Sequence, residues 1–321
     1  MTTQSSNRHA AVLIANPASR KGRRLYPRAL AALRRAGVEC ELLLTEHPGH
    51  AAELARRAAE GASGLTVFVL GGDGTVMEVA GALAHTGVPI GVLAGGTGNL
   101  LARALGIPLR VERAVPALLG GGRLRIDLGR FDSGRRFAIA AGVGIDANMV
   151  ARTPGWMKRR LGILAYTLVA SRSALRAVVR REHFVARVTV DGERIERPAL
   201  AVMVANFGAV LADRITLGPG IASDDGVLDL CVFSPRTLRE ALRVLWRLLA
   251  RDFGDDACIL YRRGLRLRVE TDPPLQAQAD GELLGTTPFE VVVEPRAAEL
   301  LVPAHGRARN RAKRTEYGRA N

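Results

Sequence analysis

Leu65-Thr66-Val67-Phe68-Val69-Leu70 running into Gly71-Gly72-Asp73-Gly74-Thr75 is the stretch from which the fold follows. Apolar and β-favouring residues bounded by glycines predict a buried strand, and Val76, Met77, Val79, Ala80 and Leu83 follow at helical spacing. The glycines therefore belong to a strand-to-helix turn. Such a turn gathers unpaired backbone N–H groups at the positive end of a helix dipole, which suits a phosphate. Glycine lets the backbone approach a ligand closely, and Asp73 adds a carboxylate able to act through a metal ion. A tight turn at a sheet edge would account for Gly71 and Gly72, but not for Gly74 with Asp73 and Thr75.

Upstream, residues 10–15 form a short apolar run that ends in Asn16-Pro17-Ala18-Ser19-Arg20-Lys21-Gly22 and a helical pattern over 25–36. A strand over 39–45 and a helix over 51–60 come next. Downstream, the helix after Thr75 ends near Gly87, a strand covers 89–93, and Gly95-Gly96-Thr97-Gly98-Asn99 is a second glycine-rich turn opening a helix. Strands alternating with helices predict a mostly parallel sheet covered on both faces, with ligands at the carboxyl ends of the strands. Two such turns on neighbouring strand ends can hold a polyphosphate. No G-x-x-x-x-G-K-[ST] motif occurs and neither turn contains a lysine, so backbone amides, Thr and Asn side chains and Lys21 are the groups left to hold a nucleotide.

The texture changes near residues 126–130. Runs at 124–129, 137–141, 185–190, 199–205, 227–233, 265–269 and 290–293 read as strands, several joined by Gly or Asp turns, which is the rhythm of a β-sandwich. Helical patterns interrupt it at 156–181, with Trp156 and Met157 beside Lys158-Arg159-Arg160, and at 237–252. The second places Leu238, Leu242, Leu245 and Leu249 on one face and Arg239, Arg243, Arg247 and Arg251 on another. It reads either as a core-packed helix with a solvated arginine face or as a basic amphipathic helix on an anionic bilayer. The arginine-rich tail over 305–321 reads as disordered.

At 321 residues with 48% hydrophobic residues, the chain is long enough for two cores. Cys40, Cys231 and Cys258 lack metal-ligand spacing and argue for a reducing compartment, the cytoplasm by default. No run is long enough to span a membrane. A net charge of +15 points to an anionic partner, and an aromatic content of 4% argues against a base-stacking nucleic-acid surface.

Gln278-Ala279-Asp280-Gly281-Glu282 forms a second chemical constellation. Read as an extended segment, it presents the Asp280 and Glu282 carboxylates on one side, where one could accept a hydroxyl proton and the other hold a magnesium-bound water. The same tripeptide at Asp191-Gly192-Glu193 reads as an ordinary hairpin turn.

The ordered set Asn16-Pro17, Thr45 with His50-Ala51, Gly71 to Thr75, Gly96-Thr97-Gly98-Asn99, Asp127, Gly142-Val143-Gly144-Ile145-Asp146-Ala147, Asp225-Gly226 and Asp280-Gly281-Glu282 resembles the bacterial diacylglycerol kinase or lipid kinase family, relatives of sphingosine and ceramide kinases, over about residues 10–303. The resemblance implies an α/β N-terminal domain, Rossmann-like and NAD-kinase-like, over 1–127 with a return segment near 298–304. A β-sandwich lipid domain would follow over 128–297. It implies transfer of the γ-phosphate of ATP to the hydroxyl of a membrane lipid such as diacylglycerol. Asn16, Thr45, Gly71, Gly72, Asp73, Gly74, Thr75, Val76, Met77, Gly96, Thr97 and Asn99 would surround the nucleotide. Asp280 would be the catalytic base, with Asp73, Asp127 and Glu282 organising the catalytic magnesium. Ala222, Asp225 and Val227 would hold a second, structural magnesium. The implied setting is cytoplasmic and peripheral to an anionic membrane, with a homodimer as a possible assembly. Residues 206–212 depart from the family in lacking a glycine cluster. An NAD kinase shares the first turn, but those enzymes carry an Asn-Glu dipeptide that this chain lacks. A non-catalytic lipid-binding protein retaining the fold is the alternative outside enzymes.

Overall fold

Strands β1 (Ala11–Ala15), β3 (Thr66–Gly71) and β4 (Ile90–Ala94) are buried almost end to end, the signature of parallel strands covered on both faces. They belong to a computed structural model that describes residues 11–19, 21–60, 64–144, 183–210 and 215–304. The chain divides into two compact units, one running to Arg125 and resuming at Ala298, the other covering Ile126–Ala297.

In the first unit, β2 (Cys40–Leu44) lies beside β1, and the order β2-β1-β3-β4 is parallel throughout. Helices α1 (Gly22–Arg35), α2 (His50–Ala59), α3 (Asp73–Ala82), α4 (Leu100–Ala104) and α5 (Val111–Leu119) connect the strands. Because β1 has β2 on one side and β3 on the other, the direction of winding reverses between β1 and β3. The carboxyl ends of these two strands flank the crevice where open α/β sheets bind ligands.

Strand β5 (Gly122–Phe131) enters the second unit, followed by β6 (Arg136–Phe137) and β7 (Ala140–Gly144). Next come β8 (Phe184–Val190), β9 (Glu193–Ala199), β10 (Ala201–Ala205), the short pair β11 (Ala209–Val210) and β12 (Ile215–Thr216), and β13 (Leu228–Phe233). After helix α6 (Leu238–Ala250) the chain forms β14 (Ile259–Gly264), β15 (Arg266–Asp272), β16 (Gln276–Ala279), β17 (Glu282–Thr286) and β18 (Phe289–Val302). One antiparallel layer has the order β14-β13-β10-β7-β16-β17. The other pairs β9 with β8, β8 with β15 and β15 with the first half of β18. Alternate residues fill the space between layers: Ala186, Val188, Leu267, Val269 and Val291 from one, Val202, Val204, Leu228, Leu230 and Ala277 from the other. The far end of β18 returns to the first unit, where Leu300 pairs with Ile90 of β4.

The expected strand at 199–205 is two strands, with β9 reaching back to Glu193, whose pattern of exposed charged residues hid it. The core-packed reading of the second helix is corrected. In α6 Val244 is the buried residue, while Leu238, Leu242 and Leu249 are exposed. The expected helix over 156–181, residues Ile145-Asp146-Ala147 and the tail over 305–321 lie outside the described residues.

Candidate active site

Asn16 ends β1 and does three things at once. Its N–H donates to Leu70 O of β3 (3.0 Å), its Oδ1 accepts from Ala18 N–H and Ser19 N–H (2.9 and 3.1 Å), and its Nδ2 donates to Thr75 Oγ1 (3.2 Å). The turn after β1 is thus shaped by the same side chain that fixes Thr75 in the first turn of α3. Thr45, buried at the end of β2, donates its N–H to Ala15 O (3.0 Å). Gly49, the residue before α2, donates to Glu78 Oε1 on α3 (3.0 Å), a link no motif announced.

The two glycine turns pack directly on each other. Gly95 N–H donates to Gly71 O (2.9 Å), and a Cβ on Gly96 would lie 2.6 Å from Gly72 Cα. Backbone against backbone leaves room for no side chain there. Asn99, in the left-handed region with φ 49°, closes the second turn by accepting Gly96 N–H on Oδ1 (2.9 Å) and donating Nδ2 to Gly96 O (3.0 Å). Asp73 then locks one turn to the other, because its Oδ1 accepts Leu100 N–H at the start of α4 (2.6 Å). Burial pushes the Asp73 carboxyl above the usual range, and the N–H groups of Leu100, Leu101 and Asn99 pull it back. Gly74 and Thr75, in the first turn of α3, have no partner four residues back within the helix, so the turn carries donors aimed at its mouth. Val76, in the same turn, is buried, and Met77 and Thr97 are partly buried.

In the second unit, the expected extended segment at 278–282 is a hairpin turn between β16 and β17. Asp280 and Gly281 both have positive φ, 47° and 86°, as a two-residue turn of the primed type requires. Gly281 N–H donates to Gln278 Oε1 (3.0 Å). The Asp280 carboxylate is 8% exposed and accepts Ala138 N–H on Oδ2 (2.7 Å) and Ile139 and Ala140 N–H on Oδ1 (2.9 and 3.0 Å). Glu282 points away to solvent and pairs with Arg135. The strand spacing that suggested a common side for the two carboxylates fails because a turn, not a strand, separates them.

Asp127 is fully buried, and Gly226 and Arg296 N–H donate to its two oxygens (both 2.7 Å). Burial raises its carboxyl, those two N–H groups oppose the shift, and Asp225 and Asp224 add to it. Asp225 pairs with Arg263, which also reaches Asp229 (3.1 Å). Burial pushes Asp229 up to about 7; Arg263 lowers it and Asp225 raises it. Asp229 Oδ2 is buried without a partner. Asp225 and Asp229 thus share the guanidinium of Arg263. Asn206, fully buried, was missed by sequence reading: its Nδ2 donates to Asp127 O (2.7 Å) and Ala138 O (2.8 Å). An amide ending an apolar strand run was the signal available.

Two family descriptions cover almost all of this structure: the diacylglycerol kinase catalytic domain matches residues 10–131, and the YegS C-terminal NAD kinase beta sandwich-like domain matches residues 139–302. A diacylglycerol kinase of Bacillus subtilis is 29% identical over 298 residues, 91% of this chain and 95% of that one. A protein named "probable lipid kinase YegS-like" from Pseudomonas aeruginosa is 32% identical over 279 residues, 86% of this chain and 89% of that one. The crystal structure of a diacylglycerol kinase from Bacillus anthracis superposes with a TM-score of 0.69 at 20% identity, covering 92% of this chain and 98% of the other, and shows the same fold. The class defined is that of the ATP-dependent lipid kinases. Within it, the chain belongs to the family of bacterial diacylglycerol kinases and YegS-like lipid kinases.

Proposed function

We propose that the protein transfers the γ-phosphate of ATP to the primary hydroxyl of a membrane lipid, diacylglycerol first among the candidates, while bound peripherally to the membrane. The observation that carries this reading is the locked pair of glycine turns at the β1/β3 crevice, bridged by Asn16 to Thr75 and by Asp73 to Leu100. Phosphoryl transfer asks a protein mainly for positioning and for charge placed in advance. Amides of the first turn of α3, with Thr97 and Thr45, would hold the phosphates, and the hydrogen bonds from Gly95 to Gly71 and from Leu100 to Asp73 keep both turns from moving apart.

Asp280 is proposed as the base that takes the lipid hydroxyl proton. Its three backbone donors hold the carboxylate in one orientation, two of them on Oδ1 and one on Oδ2. Magnesium, when bound, would offset charge on the transferring phosphate; Asp73 is proposed to organise it. Asp225, with the carbonyls of Ala222 and Val227, is proposed to hold a structural magnesium in the acidic loop. Among the described residues no helix is long and apolar enough to cross a membrane. Incubation with labelled ATP, magnesium and a panel of lipids in mixed micelles tests the proposal. Label in one lipid class is expected; label in NAD or another soluble alcohol alone would overturn the lipid assignment.

A further inference from the structure

Helix α6 is built to stay folded while exposing apolar surface. Thr237 and Glu240 form a reciprocal capping box, and Arg247 at the other end donates to Asp252 and Asp255 carbonyls (3.2 and 3.1 Å). Its inner side packs through Val244. Leu238, Leu242, Trp246 and Leu249 fall along one stripe at helical spacing and are 44, 58, 70 and 46% exposed. An exposed tryptophan on such a stripe is expensive in water and favourable at a bilayer interface, where the indole sits among headgroups.

The arginines flank this stripe. Two are already spoken for: Arg243 pairs with Asp256, and Arg247 with Asp252 and Asp256. Arg236 and Arg239 stand exposed at the N-terminal end of the stripe, on a chain with net charge +15. Cations beside an apolar strip match anionic headgroups above acyl chains.

We propose that α6 is the membrane-docking element of this protein, with Leu242 and Trp246 entering the interface and Arg236 and Arg239 meeting anionic headgroups. The inference deepens the lipid-kinase reading and rests on it for the presence of a bilayer. Binding is measured apart from catalysis, with the full chain and vesicles of phosphatidylcholine and phosphatidylserine, without ATP. The wild type is expected to co-sediment with the vesicles. The double variant L242S/W246S, altered at exposed positions, is expected to lose about tenfold or more in partitioning. In a Trp156→Phe background, Trp246 emission is expected to shift to the blue on adding vesicles.

Equal partitioning of wild type and double variant would overturn the proposal. So would a Trp246 spectrum already that of a buried indole before vesicles are added, which would mean that another part of the chain covers the stripe. A fall in oligomeric state in the double variant would overturn it as well, in favour of a second copy as the occupant. If docking depends on the stripe but no lipid accepts phosphate, α6 stands and the kinase reading falls; a lipid kinase whose docking ignores the stripe reverses that outcome.

Discussion

Asp280 and Asp191 occupy the same backbone twice. Each is the first residue of a two-residue turn with a glycine second, with φ of 47° and 48°, and each carboxylate accepts N–H groups from a neighbouring strand or its lead-in. For Asp191 the donors are Leu265 and Arg266 (3.0 and 2.8 Å), at the edge of the sheet; for Asp280 they are Ala138 to Ala140, in the interior. Asp280→Asn sets an amide against buried backbone N–H groups and is expected to cost about 1–3 kcal/mol, read by denaturant unfolding, while Asp191→Asn, at an exposed turn, is expected to cost less. Only Asp280→Asn is expected to lower turnover, by about 100-fold or more, as the loss of a general base does. The sequence marked Asp280 through its neighbours but not its turn, because a D-G-E tripeptide specifies φ only through the glycine. Its partners at 138–140 lie far away in sequence and left no local trace.

The glycine turns act as one element, since neither can move without the other. Gly96→Ala would drive a methyl into Gly72 backbone at 2.6 Å, a contact that no rotamer relieves. Overpacking of this kind costs about 1–3 kcal/mol, so ATP affinity measured by calorimetry is expected to fall about tenfold or more. In α6, Thr237→Ala removes one half of the capping box. It is expected to cost about 1 kcal/mol and to lower the melting temperature by a few degrees, read by calorimetry. The strands around both turns were legible because buried parallel strands read as unbroken apolar runs. Strand β9 was not, because its outward residues Glu193, Arg194, Glu196 and Arg197 dominate the pattern. The orientation of α6 was hidden for a related reason: a wide apolar arc gives the same periodicity whether the core covers all of it or half.

For the molecule as a whole, the alternation of strands and helices followed by hairpin rhythm was enough to call for an α/β unit and a β-sandwich. The long-range clamps were not readable: Asp127 to Gly226 and Arg296, and Glu299 to Arg123 and Arg125, join residues that only the fold brings near. The acidic loop at 222–229 has a consequence for the intact protein. Adding magnesium to chelator-treated protein is expected to raise its melting temperature, and Asp225→Asn to abolish the rise; an equal rise in the variant would remove Asp225 from the ion's ligands.

The decisive assay places wild type, Asp191→Asn and Asp280→Asn side by side in transfer of labelled phosphate from ATP to diacylglycerol, with nucleotide binding checked for each. Transfer by the wild type and Asp191→Asn, with Asp280→Asn binding ATP but transferring at the background rate, is the predicted result. Full transfer by Asp280→Asn, or an equal loss in both variants, would contradict a catalytic Asp280 and leave that carboxylate a turn anchor.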